Sequence, residues 1–419
     1  MLALLYVLAL VALVVSTGVF YLTLIPAFPA PWVYYHYRVR KPAVWTLFAV
    51  GVLVVGWAAL RQGTFPLAAL WPLLLLALAT VFTYRLHQEV VFPAVDFPPM
   101  APDALRLPLH DDMQLALIEY QGVSKAYPLD YVIHHHIVND RFGEATVSLT
   151  YCAMCRSIIP FDVTDIGPLF VGSFKNANMI VADRRTKTFF QQGTFSSIVG
   201  PLHPHTLNMI SFQILSWADV KQLEPLPQVV DVTEKDLRPF ELPIHGVWRR
   251  ILASQATPGL RREDRDQSMP ARTRVVGVLE SAGRPSPVYV KDKLLEHGVV
   301  KDPETGCYLV AVHGAVNGFR ARVDGHDVAL SLGADLLLHD KTSATTWDLR
   351  TPCSRSAQCE PHAHRGLRRV LVFLEVRSPR YPGDRRLSAP RGARRTENPT
   401  PAVEIGPSVD VAPDLPAGQ

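Results

Sequence analysis

Thr146-Val147-Ser148-Leu149-Thr150-Tyr151-Cys152-Ala153-Met154-Cys155-Arg156-Ser157 is the stretch on which the reading of this chain turns. Its first five residues alternate and are rich in β-branched side chains, the pattern of a strand, and that strand delivers Cys152 at its end. Cys152 and Cys155 form the single Cys-x-x-Cys of the chain. On a turn, two cysteines at that spacing can close a small disulfide ring or present two thiolates to one soft metal ion.

Working outward, Leu115 to Tyr120, Gln121-Gly122 and Val123 to Tyr127 read as a hairpin. Leu129 to Val138 reads as one short helix carrying His134, His135 and His136, and Asn139-Asp140 after it reads as a turn. Short strands are expected at Pro160 to Val163, Leu169 to Gly172 and Met179 to Ala182. Upstream, Phe92-Pro93 through Pro102 is a proline-studded linker. The soluble region is therefore expected to be α+β and β-rich.

The hydrophobic fraction is 48% over 419 residues, and the surplus lies at the N-terminal end. Three apolar runs, about 2–25, 44–60 and 66–84, predict a three-helix transmembrane segment within residues 1–90. The first run has no basic residue ahead of it and no clean small-x-small site, so it reads as a retained helix rather than a cleaved signal. Arg38, Arg40 and Lys41 fall in the expected first loop, against Arg61 alone in the second. The lysine and arginine bias then predicts a multi-pass protein of a bacterial inner membrane, with its soluble region in the cytoplasm.

Five cysteines over this length exclude a disulfide scaffold. A net charge of +4 without a basic, aromatic-interleaved stripe gives no sign of nucleic-acid binding. The expected partners are the lipid bilayer and a protein thiol or disulfide.

The run Ala126-Tyr127-Pro128, His135-x-Ile137-Val138-Asn139-Asp140, Thr150-Tyr151-Cys152-x-x-Cys155-x-Ser157, Asn176-x-Asn178 and Asp183-Arg184-x-Thr186 resembles the bacterial and archaeal domain-of-unknown-function family 3179. Gly200-Pro201-Leu202 and Ser216-Trp217-Ala218-x-x-Lys221 continue the resemblance. Members with selenocysteine within the Cys-x-x-Cys imply redox chemistry there. The resemblance also singles out His135, as a general base near the thiols or as a third metal ligand. Two positions depart from the pattern: His134-His135-His136 stands where the family usually has Trp-His-Glu, and Phe190 where it usually has tryptophan.

Residues 283–349 follow the plan of residues 122–192. Gly122 to Cys152 and Gly283 to His313 are each 30 positions apart, and His136 and His297 each fall 14 after their glycine. Asp183-Arg184-Arg185-Thr186 with Phe190 is matched by Asp340-Lys341-Thr342 with Trp347. Two repeated domains are expected, at 100–230 and 271–349, joined by a charged linker at 231–270. Val312-His313-Gly314-Ala315-Val316 stands where Tyr151-Cys152-Ala153-Met154-Cys155 stands in the first copy, so the second copy is chemically degenerate.

Residues 350–419 read differently again: no lysine follows Lys341, while arginine and proline accumulate. Cys353, Cys359, His362 and His364 are suitable metal ligands by type. A frame change accounts for more. Codons for Arg355-Ser356-Ala357, read one nucleotide forward, can spell Gly-Pro-Leu, as at Gly200-Pro201-Leu202. Codons for Phe373-Leu374-Glu375 can likewise spell Phe-Trp-Lys. The tail is thus expected to be out of frame, and largely disordered from Arg380 to Gln419.

The chemistry left open is threefold. Cys152 and Cys155, with His135, suit thiol–disulfide exchange as catalytic residues, or copper or zinc binding as ligands; a structural pair is the third reading. Arg156 beside the pair would favour thiolate. Asn176, Asn178, Asp183 and Arg184 suit a pocket or hairpin turns equally, and Tyr127 and Phe190 suit the core.

Overall fold

In the computed structural model, the described residues are 1–238, 273–278, 288–323, 326–327, 329–333, 337–341, 346–348, 366–370 and 372–376. The linker beyond Arg238, the set Cys353, Cys359, His362 and His364, and the tail from Arg380 lie outside them.

The N-terminal end is helical: α1 (Leu2–Ser16), α2 (Gly18–Leu24), α3 (Ala30–Gln62) and α4 (Leu70–Arg85), followed by the short α5 (Gln88–Val91). Two helices, α3 and α4 with the turn before it, are long and apolar enough to cross a membrane; α1 and α2 make a third span only if the pair, bent by 50°, is counted as one. The expected second helix at 44–60 is corrected here. α3 begins twelve or more residues earlier, with a proline in its first turn, where the missing N–H costs no hydrogen bond. Arg38, Arg40 and Lys41 therefore lie on the helix and not in a loop. At about 1.5 Å per residue α3 is about 50 Å long, more than the roughly 30 Å of a hydrocarbon core. Its first turns are left over to carry the rest of the chain, and there the buried Arg40 pairs with Glu89 at 2.9 Å.

The next segment contains β1 (Val95–Asp96), β2 (Gln114–Tyr120), β3 (Val123–Pro128), α6 (Leu129–His135), β4 (Ile137–Phe142), β5 (Ala145–Cys152) and β6 (Ser157–Asp162). It continues with β7 (Leu169–Lys175), β8 (Asn178–Asp183), β9 (Phe189–Gln191), β10 (Ser197–Val199), β11 (Asn208–Met209), β12 (Phe212–Ser216), α7 (Trp217–Val220) and β13 (Gln228–Val229). The hairpin and the strand ending at Cys152 form as their sequence patterns predict; the histidine helix is corrected, ending at His135 so that His136 caps it and Ile137 and Val138 open β4. Asn139-Asp140 is a correction: both sit inside β4, where Asn139 is fully buried and holds Ser148 and Leu169. Polar residues that read as a turn are here buried because strand neighbours satisfy them.

These strands form three sheets, β12-β2-β3-β13, β1-β4-β5-β6-β11 and β10-β9-β8-β7, stacked as layers. The middle sheet buries Val138, Val147, Leu149 and Ile158 against Ala116, Ile118 and Tyr127 on one side. Its other face buries Ile137, Ile159 and Phe161 with both cysteines against Val171, Met179, Val181 and Phe190. Because strand side chains alternate with a period of two, Phe170, Ile180 and Phe189 point the opposite way, onto Leu22, Val33, Tyr34 and Tyr37 of α2 and α3. One sheet thus separates the cysteine layer from the apolar helices and touches both.

The second half contains β14 (Arg274–Val278), β15 (Val288–Val290), α8 (Lys291–His297), β16 (Val299–Lys301), β17 (Tyr308–Val312), β18 (Ala315–Val323) and β19 (His326–Asp327). Then come β20 (Leu330–Leu332), β21 (Leu337–Asp340), β22 (Thr346–Asp348), β23 (Gly366–Val370) and β24 (Val372–Val376). After β14 the order runs strand, seven-residue helix, antiparallel strands, as it does after β2. β24 pairs with β14 as β12 pairs with β2. The residue-by-residue match at the turn needs correcting. Cys152 pairs with Ser157 across four intervening residues, whereas Val312 pairs with Ala315 across His313-Gly314 alone. The second turn is two residues shorter, so His313 has no counterpart in Cys152.

The two halves meet through paired contacts. Asn317 accepts from the Ile214 N–H at 2.9 Å and donates to the Ile214 carbonyl at 3.0 Å. The His313 ring lies 2.9 Å from Asp219.

Candidate functional site

The turn that joins β5 to β6 is Ala153-Met154-Cys155-Arg156, and its last residue takes φ 54°, in the left-handed region. That reversal brings Cys155 back over the end of β5. No disulfide joins the two cysteines, and their sulfurs lie 2.7 Å apart. Each cysteine is only 2% exposed.

The polar surroundings of the pair come from β8 and the segment after β9. Asn178 donates its amide N–H to the Cys155 sulfur at 2.8 Å. The direction of that amide is set from behind: Gln191 Nε2 and the Gly193 N–H both donate to Asn178 Oδ1, at 2.6 and 2.9 Å. With its oxygen held by two donors, the nitrogen end must face the sulfur. A Cβ at Gly193 would stand 3.0 Å from the Asn178 nitrogen, so the amide would have to give by a few tenths of an ångström. Gln192 ties the base of the turn, donating to Thr150 Oγ1 at 2.9 Å and accepting from the Ser157 hydroxyl at 3.1 Å.

Burial alone would push the Cys152 thiol up. Hydrogen bonds from the Cys155 thiol and from the backbone N–H groups of Cys155, Met179 and Met154 outweigh it, holding Cys152 below the ordinary thiol range. Cys152 is thus held toward thiolate by donors that include the Cys155 thiol. Tyr151, just before it, is pushed up to about 12, first by burial, an effect that Arg156 opposes and the two thiols reinforce.

Cys155 opens into a cleft of about 300 Å³, whose near wall is Tyr151, Arg156, Leu129, Ile133 and Ile158. Both cysteines belong to the apolar layer, and of the two Cys155 is the one that lines the cleft.

The structure places His135 elsewhere than beside the sulfurs it was expected to serve. Its Nε2 lies 3.8 Å from Asp236, and its ring stands against Tyr131 and His134 at 4.6 and 4.9 Å. Burial first, then His134, push His135 down, and Asp236 offsets this in part. His136 is the histidine that touches the cysteine strand: its carbonyl accepts from the Tyr151 N–H at 2.6 Å, and its ring packs on Phe92 at 4.6 Å. Burial pushes it down to about 4. Among the described residues, no three of His, Cys, Asp and Glu gather into a group that could hold a metal ion.

Of the other residues weighed from sequence, Asp183 forms the β8–β9 turn with Thr186 and Thr188, and Arg184 pairs with Asp96 at 2.9 Å. Tyr127 and Phe190 are core, the tyrosine hydroxyl donating to Asp140 at 2.6 Å. Gln191 and Gln192 were missed; a glutamine pair after an apolar strand carries no local signal of its own. Asn178 suits a pocket or a hairpin turn equally by sequence, and only the fold turns its amide onto a sulfur.

No curated protein and no solved structure matches the chain. A family model described as a protein of unknown function (DUF3179) matches residues 90–373, from the end of the apolar helices through β24. The chain belongs to the DUF3179 family of proteins of unknown function.

Proposed function

We propose that this protein is a membrane-anchored thiol–disulfide oxidoreductase working through Cys152 and Cys155. The observation that carries the reading is the 2.7 Å contact between the two sulfurs, with Cys152 held below the ordinary thiol range and Cys155 reached by an oriented amide. A structural pair needs none of this apparatus.

In the proposed reaction a substrate disulfide enters the cleft and meets Cys155. Cys155 attacks one substrate sulfur while its proton passes to the Cys152 thiolate, and the substrate S–S bond breaks, releasing one substrate thiolate. The mixed disulfide is then attacked at the Cys155 sulfur by Cys152, whose proton leaves with the second substrate thiol. The substrate gains two electrons, and the protein becomes the Cys152–Cys155 disulfide. A dithiol reductant returns the pair to its starting state, being oxidised to a disulfide in turn. Asn178 stabilises negative charge on Cys155 at the moment of attack.

The second half is, in this reading, a degenerate copy that has lost both thiols and serves as a wall. The soluble region is proposed to face the cytoplasm. The sheet carrying Phe170 and Phe189 packs on the N-terminal turns of α3, and α4 ends where the soluble region begins. Arg38, Arg40, Lys41 and Arg85 therefore gather on the soluble side, with Arg61 at the far end of α3. Cytosolic reductants suit a pair that rests as dithiol.

The test is trapping. Reduced full-length chain in detergent, challenged with an aromatic disulfide reagent, should release two more equivalents of thiol than the variant carrying both Cys152→Ser and Cys155→Ser. Cys152→Ser should stop at a stable mixed disulfide on Cys155. Reaction no faster than that of the buried Cys307, or one equivalent of copper or zinc that Cys152→Ser removes, would overturn the proposal.

A further inference from the structure

The cleft in front of Cys155 has a far wall that the first half does not supply. Arg274 and Val275 of β14 and Lys291 at the start of α8 complete it, opposite Tyr151, Arg156 and Ile214. Three cationic side chains thus border the opening, and among the described residues no carboxylate belongs to its lining. The nearest carboxylate bonded to any of them is Asp292, outside the lining, which accepts from Arg274 at 2.7 Å. Arg274 stays half exposed in that pair.

Arg274 and Lys291 repel one another, and Lys291 is partly buried as well. Its ammonium is pushed down by burial first and by Arg274 second, and Asp292 offsets this in part. An anion in the cleft would relieve both costs at once. The remaining lining is apolar: Leu129, Ile133, Ile158, Ile214 and Val275. A volume of about 300 Å³ is at the small end of ligand sites.

We infer that the cleft selects small disulfides that carry carboxylates on either side of the sulfur–sulfur bond, with Arg156, Arg274 and Lys291 holding the carboxylates and Cys155 facing the sulfurs. The inference rests on the redox reading for its reaction, yet the anion site itself stands on the lining alone. It also gives the degenerate half a role. Having no Cys-x-x-Cys of its own, it contributes two of the three cations that choose the substrate for the other half's thiols.

The experiment uses the full chain in detergent and three disulfides of similar reactivity and different charge: oxidised glutathione (anionic), bis(2-hydroxyethyl) disulfide (neutral) and cystamine (cationic). The expected order of rates is anionic over neutral over cationic, with the spread shrinking as salt rises. Lys291→Gln and Arg274→Gln should each lower the ratio of the anionic to the neutral rate, by about threefold to tenfold. A ratio unchanged in the double variant overturns the inference. Binding of S-methylglutathione, which cannot exchange, separates this from the redox reading. If no disulfide is reduced but the probe binds, about tenfold or more weaker in the double variant, the redox reading fails and the anion site stands. Equal binding to wild type and double variant sinks the anion site whatever the thiols do.

Discussion

The Asn178 amide nitrogen lies 2.8 Å from the Cys155 sulfur, and its oxygen is occupied by Gln191 and Gly193. A donor so placed favours thiolate on Cys155. Asn178→Ala should therefore slow alkylation of Cys155 at neutral pH by about tenfold, the worth of one hydrogen bond to a charged group. Gly193→Ala should do the same in part, because its methyl would crowd the Asn178 nitrogen. The measurement is the pH profile of iodoacetamide labelling, which should move to higher pH in both variants. Unchanged profiles would show that Asn178 only packs.

His136 gives a stability signature. Its ordinary value of 6.5 is lowered to about 4 by burial, so between those limits the unfolded chain binds a proton that the folded chain refuses. Stability must then rise with pH across this window and fall as pH drops through it, by about 3 kcal/mol in total. Thermal midpoints of wild type and His136→Phe, compared at pH 7 and pH 4.5, should converge or cross on acidification. Parallel pH slopes would contradict the assignment.

Lys175 joins the two parts of the chain. Its buried ammonium donates to the carbonyls of Leu22 and Ile25, at 2.8 and 2.7 Å, where α2 ends. Three residues on, the same hairpin supplies Asn178 to the site. Lys175→Met leaves two carbonyls without that donor, at a cost of roughly 1–3 kcal/mol each if they stay buried. Amide hydrogen exchange over the β7–β8 turn should speed up, and Cys155 labelling should change with it. If exchange rises while labelling stays constant, the hairpin does not couple the helices to the site.

The tail can be tested at the level of the gene. We expect the codons for Arg355-Ser356-Ala357 and Phe373-Leu374-Glu375 to spell Gly-Pro-Leu and Phe-Trp-Lys one nucleotide forward. Codons that cannot do so end the out-of-frame proposal. β23 and β24 pair through their backbones, so their place in the sheets is compatible with either frame.

Much of the fold was legible because alternation is a local signal. The strand into Cys152 follows from β-branched and apolar residues recurring at every second position, and the β2–β3 hairpin from two strand-like runs on either side of Gln121-Gly122. Asn139 and Asp140 misled because buried polar residues in a strand look like a turn until their partners are known. Arg38 to Lys41 misled in the same manner: charge breaks an apolar run, but Glu89, far away in sequence, lets the helix continue through Arg40. The site divides along the same line. Cys152 and Cys155 are adjacent enough to read directly. Asn178, Gln191, Arg274 and Lys291 reach the site only through sheet stacking, which no spacing announces. His135 was brought in by resemblance, and the structure sets it against Asp236.

The central claim is that Cys152 and Cys155 interchange between dithiol and disulfide. The full chain, equilibrated in buffers of graded dithiol-to-disulfide ratio and quenched with a mass-tagged alkylating agent, reports the fraction of each form. One two-electron transition is predicted, lost in Cys152→Ser and in Cys155→Ser and retained in Cys307→Ser. A pair that stays reduced across the whole range would contradict it.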